Sequence, residues 1–456
     1  MTRALLPLAL IVAIAIVVVA TVRDARDTTA AAPAARPAGP MAGTSRQQLT
    51  RTVEAMTARI AATPKDGAAV VRLADALIRL QRVNNDGRAV ITAEERLRAF
   101  LKHDPRHYEA QRMLAAVLLS QHRFGDAIAQ ANKVSAMDPR DAWNFGAIGD
   151  GYIELGDYDR AFAAYDRMGQ LQPGPPAYAR TSHALEIKGD LAGALEYMRR
   201  AADGSWSNDT EAQAWHYSQV GELLLQQGRL GDAKREFEHA EATFPNHPLA
   251  RAGLAKVKIA EGDLAGARLA YQEQLARVPT PDLAALVGDL LHATGDETGA
   301  EQYYRMSVQI ERAGWGNGVP QPQALARFFA DRDRNLAEAV KLAEDATVSR
   351  RDIFTMDTLS WAYFKAGRLS EARQASEQAR RTGSKDARIL YHAAEILAAA
   401  GDRREALRLF SDIPAPDAIT DVLIARAART LRTRLSSRDA PVMPVDRRAS
   451  GPPVSD

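Results

Sequence analysis

Residues 151–168 read GYIELGDYDRAFAAYDRM, and a thinner copy, GELLLQQGRLGDAKREFEHA, returns at residues 221–240. With Ala161 as landmark, equivalent alanines fall at Ala93, Ala127, Ala161, Ala194, Ala233, Ala267, Ala300, Ala339, Ala372 and Ala406. Their spacings are 34, 34, 33, 39, 34, 33, 39, 33 and 34 residues. A period of this length, held over ten copies, restricts the chain to units that stack because each has an apolar face it cannot bury alone.

The residues around each landmark say what the unit is. Twelve positions before it stands a small residue, at Ala115, Gly149, Ser182, Gly221, Ala255, Gly288, Ser360 and Ala394. A small side chain lets two helices approach closely where they cross. Arg327 takes that position before Ala339, so that unit is expected to pack more loosely. Five positions before the landmark come Gly156, Gly189, Gly228, Gly262, Gly295, Gly367 and Gly401, where glycine can end one helix in the left-handed conformation before the next begins. Four positions after it come Leu97, Tyr165, Met198, Phe237, Tyr271, Tyr304 and Phe410, fillers for the groove between the helices. Prolines at Pro105, Pro139, Pro173, Pro245 and Pro279 then stop the second helix.

This pattern resembles the tetratricopeptide repeat, a helix-turn-helix unit of 34 residues, over roughly residues 66–414. The resemblance implies an all-α fold: a right-handed superhelical solenoid of about ten units over residues 47–436, with capping helices. At the front, Leu49, Val53, Met56 and Ile60 form an apolar stripe ending at Pro64; at the back, residues 417–436 are amphipathic, with Ile419, Leu423, Ala427 and Leu431 inward. Residues 437–456 read as a disordered tail. The two 39-residue spacings contain GSWSND and GWGNGVPQP, either tolerated loop growth or projecting contacts at Trp206 and Trp315.

Ahead of the repeats, residues 4–22 are apolar and uncharged, long enough to cross a bilayer as a helix. Residues 1–23 therefore read as a signal-anchor, or as a secretory signal cleaved after Val18-Val19-Ala20. Residues 24–46 read as an Ala/Pro-rich disordered linker. Lys/Arg counts on the two flanks are ambiguous. The basic residue directly before the apolar run resembles a bacterial export signal, which places the body outside the cytoplasm; secretion after cleavage and a cytoplasmic body are the alternatives.

The chain has no Cys, which removes disulfides, thiol catalysis and Cys-ligated zinc together. A net charge of +2 implies no bulk attraction to nucleic acid. His103 and His107 are separated by Pro105, so they do not share a helix face, and no metal site is expected. The glycines of residues 314–318 lack a preceding strand and a following Lys-Ser/Thr, so a phosphate-binding loop fails its context. No cofactor and no catalytic residue are expected, and every long segment is taken up by helix pairs.

Proteins of this resemblance generally bind peptides or other proteins along a concave face lined by the first helix of each unit. The corresponding positions here are Trp143, Asp150, His183, Trp215, Glu222, Asp289, His292, Phe328, Phe354, Asp357, Trp361, Phe364, Arg388, Tyr391 and Glu395. The basic-asparagine clamp of co-chaperone members is not matched, since Gly146, Asp150, Ala179 and His183 stand there. An aromatic, mildly acidic groove suits an apolar segment or one bearing Lys/Arg. The expected function is a membrane-tethered protein-binding scaffold; the alternatives are an accessory subunit of an envelope enzyme or export complex, and, less in keeping with the residues, an enzyme.

Overall fold

The computed structural model describes residues 46–84, 87–205, 209–316, 321–415 and 419–436. The apolar N-terminal segment, the linker, Trp206 and the tail lie outside them, as does the side chain of Trp315. Among the described residues all regular structure is α-helix. A leading helix, α1 (Arg46–Ala62), is followed by ten antiparallel pairs. These are α2 (Gly67–Asn84) with α3 (Arg88–Leu101), α4 (Tyr108–Ser120) with α5 (Phe124–Met137), α6 (Ala142–Leu155) with α7 (Tyr158–Leu171), and α8 (Pro175–Ile187) with α9 (Leu191–Asp203). The middle of the array is α10 (Thr210–Gln226) with α11 (Leu230–Thr243), α12 (Pro248–Ala260) with α13 (Leu264–Arg277), and α14 (Pro281–Ala293) with α15 (Glu297–Gly316). Then come α16 (Pro322–Asp331) with α17 (Leu336–Ser349), α18 (Ile353–Lys365) with α19 (Leu369–Ala379), and α20 (Ala387–Ala399) with α21 (Arg403–Ser411); α22 (Val422–Ser436) closes the array.

Every landmark alanine sits on a second helix and is at most 1% exposed. The small residues of the first helices meet the fillers: a Cβ on Gly149 would stand 2.4 Å from the Tyr165 ring, and one on Gly288 2.5 Å from the Tyr304 ring. The seven turn glycines all have positive φ. The residue after several of them, as at Asp157, Asp190, Asp263 and Asp402, caps the next helix with its carboxylate.

The unit carrying Arg327 departs from the expectation of loose packing. Its left-handed turn residue is Asp333, and Arg334 adds one residue before the second helix begins. This shifts the first helix by one position and brings Ala326, fully buried, to where Arg327 would have stood. Arg327 turns instead toward Asp282, 3.5 Å away.

First helices of successive units touch one another, as α2 does α4, α4 does α6, α10 does α12 and α18 does α20. No second helix makes a comparable contact with the next second helix among the described residues. The first helices therefore form the inner side of a curved array. That curvature brings the array back onto itself. The turn at Gly156 meets the junction at Arg351, the turn at Gly189 meets Gly383, and the turn at Gly228 meets Ala415. At this seam the Arg351 amide donates to the Glu154 carbonyl at 2.9 Å. The Ile353 amide donates to the Tyr158 hydroxyl at 2.8 Å across 195 residues of sequence. Arg381 donates to the carbonyls of Gly156 (3.3 Å) and Arg351 (2.7 Å), and Arg350 pairs with the buried Glu154 carboxylate. Ile153, Tyr158, Ile187, Ile353 and Ile389 share a hydrophobic core behind these bonds.

The end helices also pack inward. Leu49 is buried, and Val53, Met56 and Ile60 lie against the first core cluster. In α22 the buried stripe is Ile424, Ala428, Leu431 and Leu435; of the expected stripe Leu431 is buried and Ile419 and Ala427 lie partly buried against the same cluster, so the stripe is rotated by about one position. The rotation has a cause in packing: α22 contacts α20 and α21 as the next first helix would, and it also reaches α14, four units back.

Candidate functional site

Along the inner face, five of the first helices carry a carboxylate that meets a base from a following first helix or its end. Asp150 on α6 accepts from Arg180 on α8 at 2.6 and 2.9 Å and from the Tyr165 hydroxyl at 2.9 Å. The same triad returns on α14, where Asp289 accepts from Arg332 at 2.7 and 2.9 Å and from Tyr304 at 3.0 Å. Glu222 on α10 pairs with Lys256 on α12. Asp357 on α18 pairs with Nδ1 of His392 on α20 at 3.0 Å, and Glu395 on α20 pairs with Arg434 on α22. Burial pulls the Arg332 guanidinium down, but the opposed Asp289 raises it above its ordinary value and keeps it charged.

The aromatic residues pack within this ladder. Trp143 is fully buried with the Arg112 guanidinium 4.7 Å from its ring centre, and Arg112 lies 3.2 Å from Asp141. Phe328 receives Arg332 at 4.3 Å and meets Tyr304 edge-on. Trp361 stacks on His392 at 4.0 Å with planes 8° apart, with Phe364 and Tyr391 beside it. The Tyr391 hydroxyl donates to Glu395 at 3.4 Å, and Arg388 bridges Asp331 (3.1 Å) and Asp421 (2.5 Å). Phe354 is half-buried against the core behind the seam, and His183 lies 3.7 Å from Glu186. His292 differs: it is only half-buried and meets Glu297.

The expected groove positions thus lie together on one face, mostly buried and bonded to one another. Among the described residues, Nε1 of Trp215, Nε1 of Trp361 and Nε2 of His392 are polar atoms of this face that are buried without a hydrogen-bond partner. The bases Arg180, Arg332 and His392 are inner-face residues that lie off the groove positions of the repeat register, whereas Lys256 stands eleven positions before Ala267, as Asp150 does before Ala161. Arg180 and His392 both stand fourteen positions before their landmarks and Arg332 seven, and a local signal is a base inside an apolar stripe, as in LAKVKIA around Lys256.

A family model of the tetratricopeptide repeat matches residues 224–290, and a second matches residues 92–142 and 358–419. The matched stretches lie within the array of helix pairs. This chain is a tetratricopeptide-repeat protein. The tetratricopeptide-repeat protein is similar to cellulose synthase operon protein C of Xanthomonas axonopodis pv. citri (strain 306), with 30% identity over 261 residues, 54% of this chain and 17% of that protein. It is also similar to human tetratricopeptide repeat protein 36, with 37% identity over 91 residues, 19% of this chain and 46% of that protein. It spans less than half the length of either. Among solved structures, the human IFIT1 dimer with m7Gppp-AAAA matches at 11% identity and a TM-score of 0.46, over 80% of this chain and 86% of that chain. Tetratricopeptide-repeat proteins generally mediate protein–protein interaction, and the fold is typically a non-catalytic scaffold. Among the described residues no helix is long and apolar enough to cross a membrane.

Proposed function

We propose that this tetratricopeptide-repeat protein is a non-catalytic scaffold that takes a partner protein's segment along its first-helix face, tethered to a membrane by residues 1–23 with the body outside the cytoplasm. The observation that carries the binding reading is the trio of unpartnered polar atoms on that face, on Trp215, Trp361 and His392. Buried donors without acceptors are costly, and a partner's backbone carbonyls would satisfy the two indoles. The apolar run of residues 4–22 motivates the tether.

Trp215→Phe and Trp361→Phe keep an aromatic ring and remove only the indole N–H. Partner recovery from membrane extracts, followed by crosslinking and mass spectrometry, is expected to fall with either variant while the circular dichroism spectrum stays unchanged. Unaltered recovery with both would remove the reading. Protease protection of the body in spheroplasts would reverse the assigned side of the membrane.

A second reading, an accessory subunit of an envelope-polymer enzyme, is favoured by the similarity to a protein named for a cellulose synthase operon. Co-purification of one stoichiometric enzyme supports it; recovery of several unrelated partners argues for the general scaffold.

A further inference from the structure

The C-terminal part of the first-helix face is already occupied by the chain's own last helix. α22 touches α14, α20 and α21 at once, and its stripe Ile424, Ala428, Leu431 and Leu435 is buried in the same cluster as Trp361 and Tyr391. Charged contacts hold its two ends. Asp421, just before the helix, meets Arg388 at 2.5 Å, and Arg434 in its last turn meets Glu395. Arg388 and Glu395 are groove positions of the repeat, so α22 uses the groups that a bound partner would use. The helix is joined to α21 through a segment that contains Pro414 and Pro416.

From this arrangement we infer that α22 is a displaceable internal ligand, and that the partner for this part of the groove is an amphipathic helix of the same chemistry. Such a helix carries an acidic residue just before its first turn, apolar residues at i, i+4, i+7 and i+11, and an arginine in its last turn. The spacing follows from the 3.6-residue turn, which sets those four side chains on one stripe, and the two charges set direction and register. The helix-in-groove mode supplies binding through the apolar anchors, and the flanking charges add selection. The inference rests on the scaffold reading and specifies the partner for one end of the face.

The test uses the full chain and a fluorescein-labelled peptide with the sequence of residues 419–436. Leu431→Asp places a carboxylate in the buried stripe; Arg434→Glu sets like charge against Glu395 without touching the core, and it serves if the first variant folds poorly. In both, amide exchange of α22 is expected to accelerate, and anisotropy is expected to show saturable peptide binding at least tenfold tighter than to the unaltered chain. Adding Arg388→Glu should abolish that gain, and a scrambled peptide should not bind. If α22 opens in a folded variant and the peptide still does not bind, the helix is a cap and the inference fails. It fails equally if α22 stays protected in both variants, or if the unaltered chain binds the peptide as tightly. Neither variant alters Trp215 or Trp361, so loss of the scaffold reading and loss of this one are seen separately.

Discussion

Replacing Gly156 by Ala tests whether the seam holds the array closed. Gly156 has φ of +71° and Gly401 has φ of +85°, so alanine at either position meets the same left-handed strain, roughly 1–2 kcal/mol. Their surroundings differ. A Cβ on Gly156 would stand 2.3 Å from the Arg351 carbonyl oxygen, whereas one on Gly401 meets nothing within 4 Å. The Gly156 variant must therefore push the facing backbone away and loosen the bonds from Arg351, Ile353 and Arg381. At about 1 kcal/mol net for each hydrogen bond, the seam loses on the order of 3 kcal/mol. The contact of Arg350 with Glu154 is left out, because burial keeps that carboxyl protonated up to about pH 8. Each 1.4 kcal/mol is tenfold, so exchange of the Arg351 and Ile353 amides should accelerate on the order of a hundredfold in Gly156→Ala. The same amides should be unaffected in Gly401→Ala. Small-angle scattering should show a larger radius of gyration for the first variant alone. Equal behaviour of the two variants would refute the idea that rim contact sets the pitch.

Burial raises the Glu154 carboxyl to about 8, with the nearby Arg350 opposing the shift. The folded seam then holds a proton that the open state releases above about 4.5, so raising pH between these values weakens the seam. Seam amides should lose protection from about pH 4.5 to pH 8, and Glu154→Gln should abolish that dependence; a flat profile in the unaltered chain contradicts it. Arg180→Met leaves Asp150 buried and unpaired, and urea unfolding should show a loss of about 3–5 kcal/mol, partly restored by adding Asp150→Leu. Tyr165→Phe, which removes one bond to the same carboxylate, should cost only about 1 kcal/mol. Gly288→Ala places a methyl 2.5 Å from the Tyr304 ring and should cost about 1–3 kcal/mol by overpacking; Gly295→Ala, in open space but at φ of +87°, should cost about 1–2 kcal/mol from backbone strain alone.

How far the residues could be read depends on the distance over which each feature is decided. The helix pair is settled within one unit. A small residue under an aromatic, a left-handed turn and a stopping proline act over a few tens of residues, so the ten landmarks were legible from spacing alone. Even the exception at Arg327 was a local matter, a turn one residue longer. The inner face was legible in part: Trp143, Asp150, Trp361 and Arg388 stand on it. Lys256 shares the register of the carboxylates, but Arg180 and Arg332 keep no common register, because each is chosen by where the neighbouring helix comes to lie.

Only the tertiary structure decided the pitch. A small rotation from unit to unit accumulates over five units before Gly156 meets Arg351 and Gly189 meets Gly383, and no residue pattern within a unit records that sum. The same accumulation brings α14 within reach of α22, and so turns by about one position the face that the end helix buries. Period and helix pairing belong to the sequence because short-range packing dictates them; closure, seam and occupancy belong to the assembled superhelix, where residues nearly two hundred positions apart first meet.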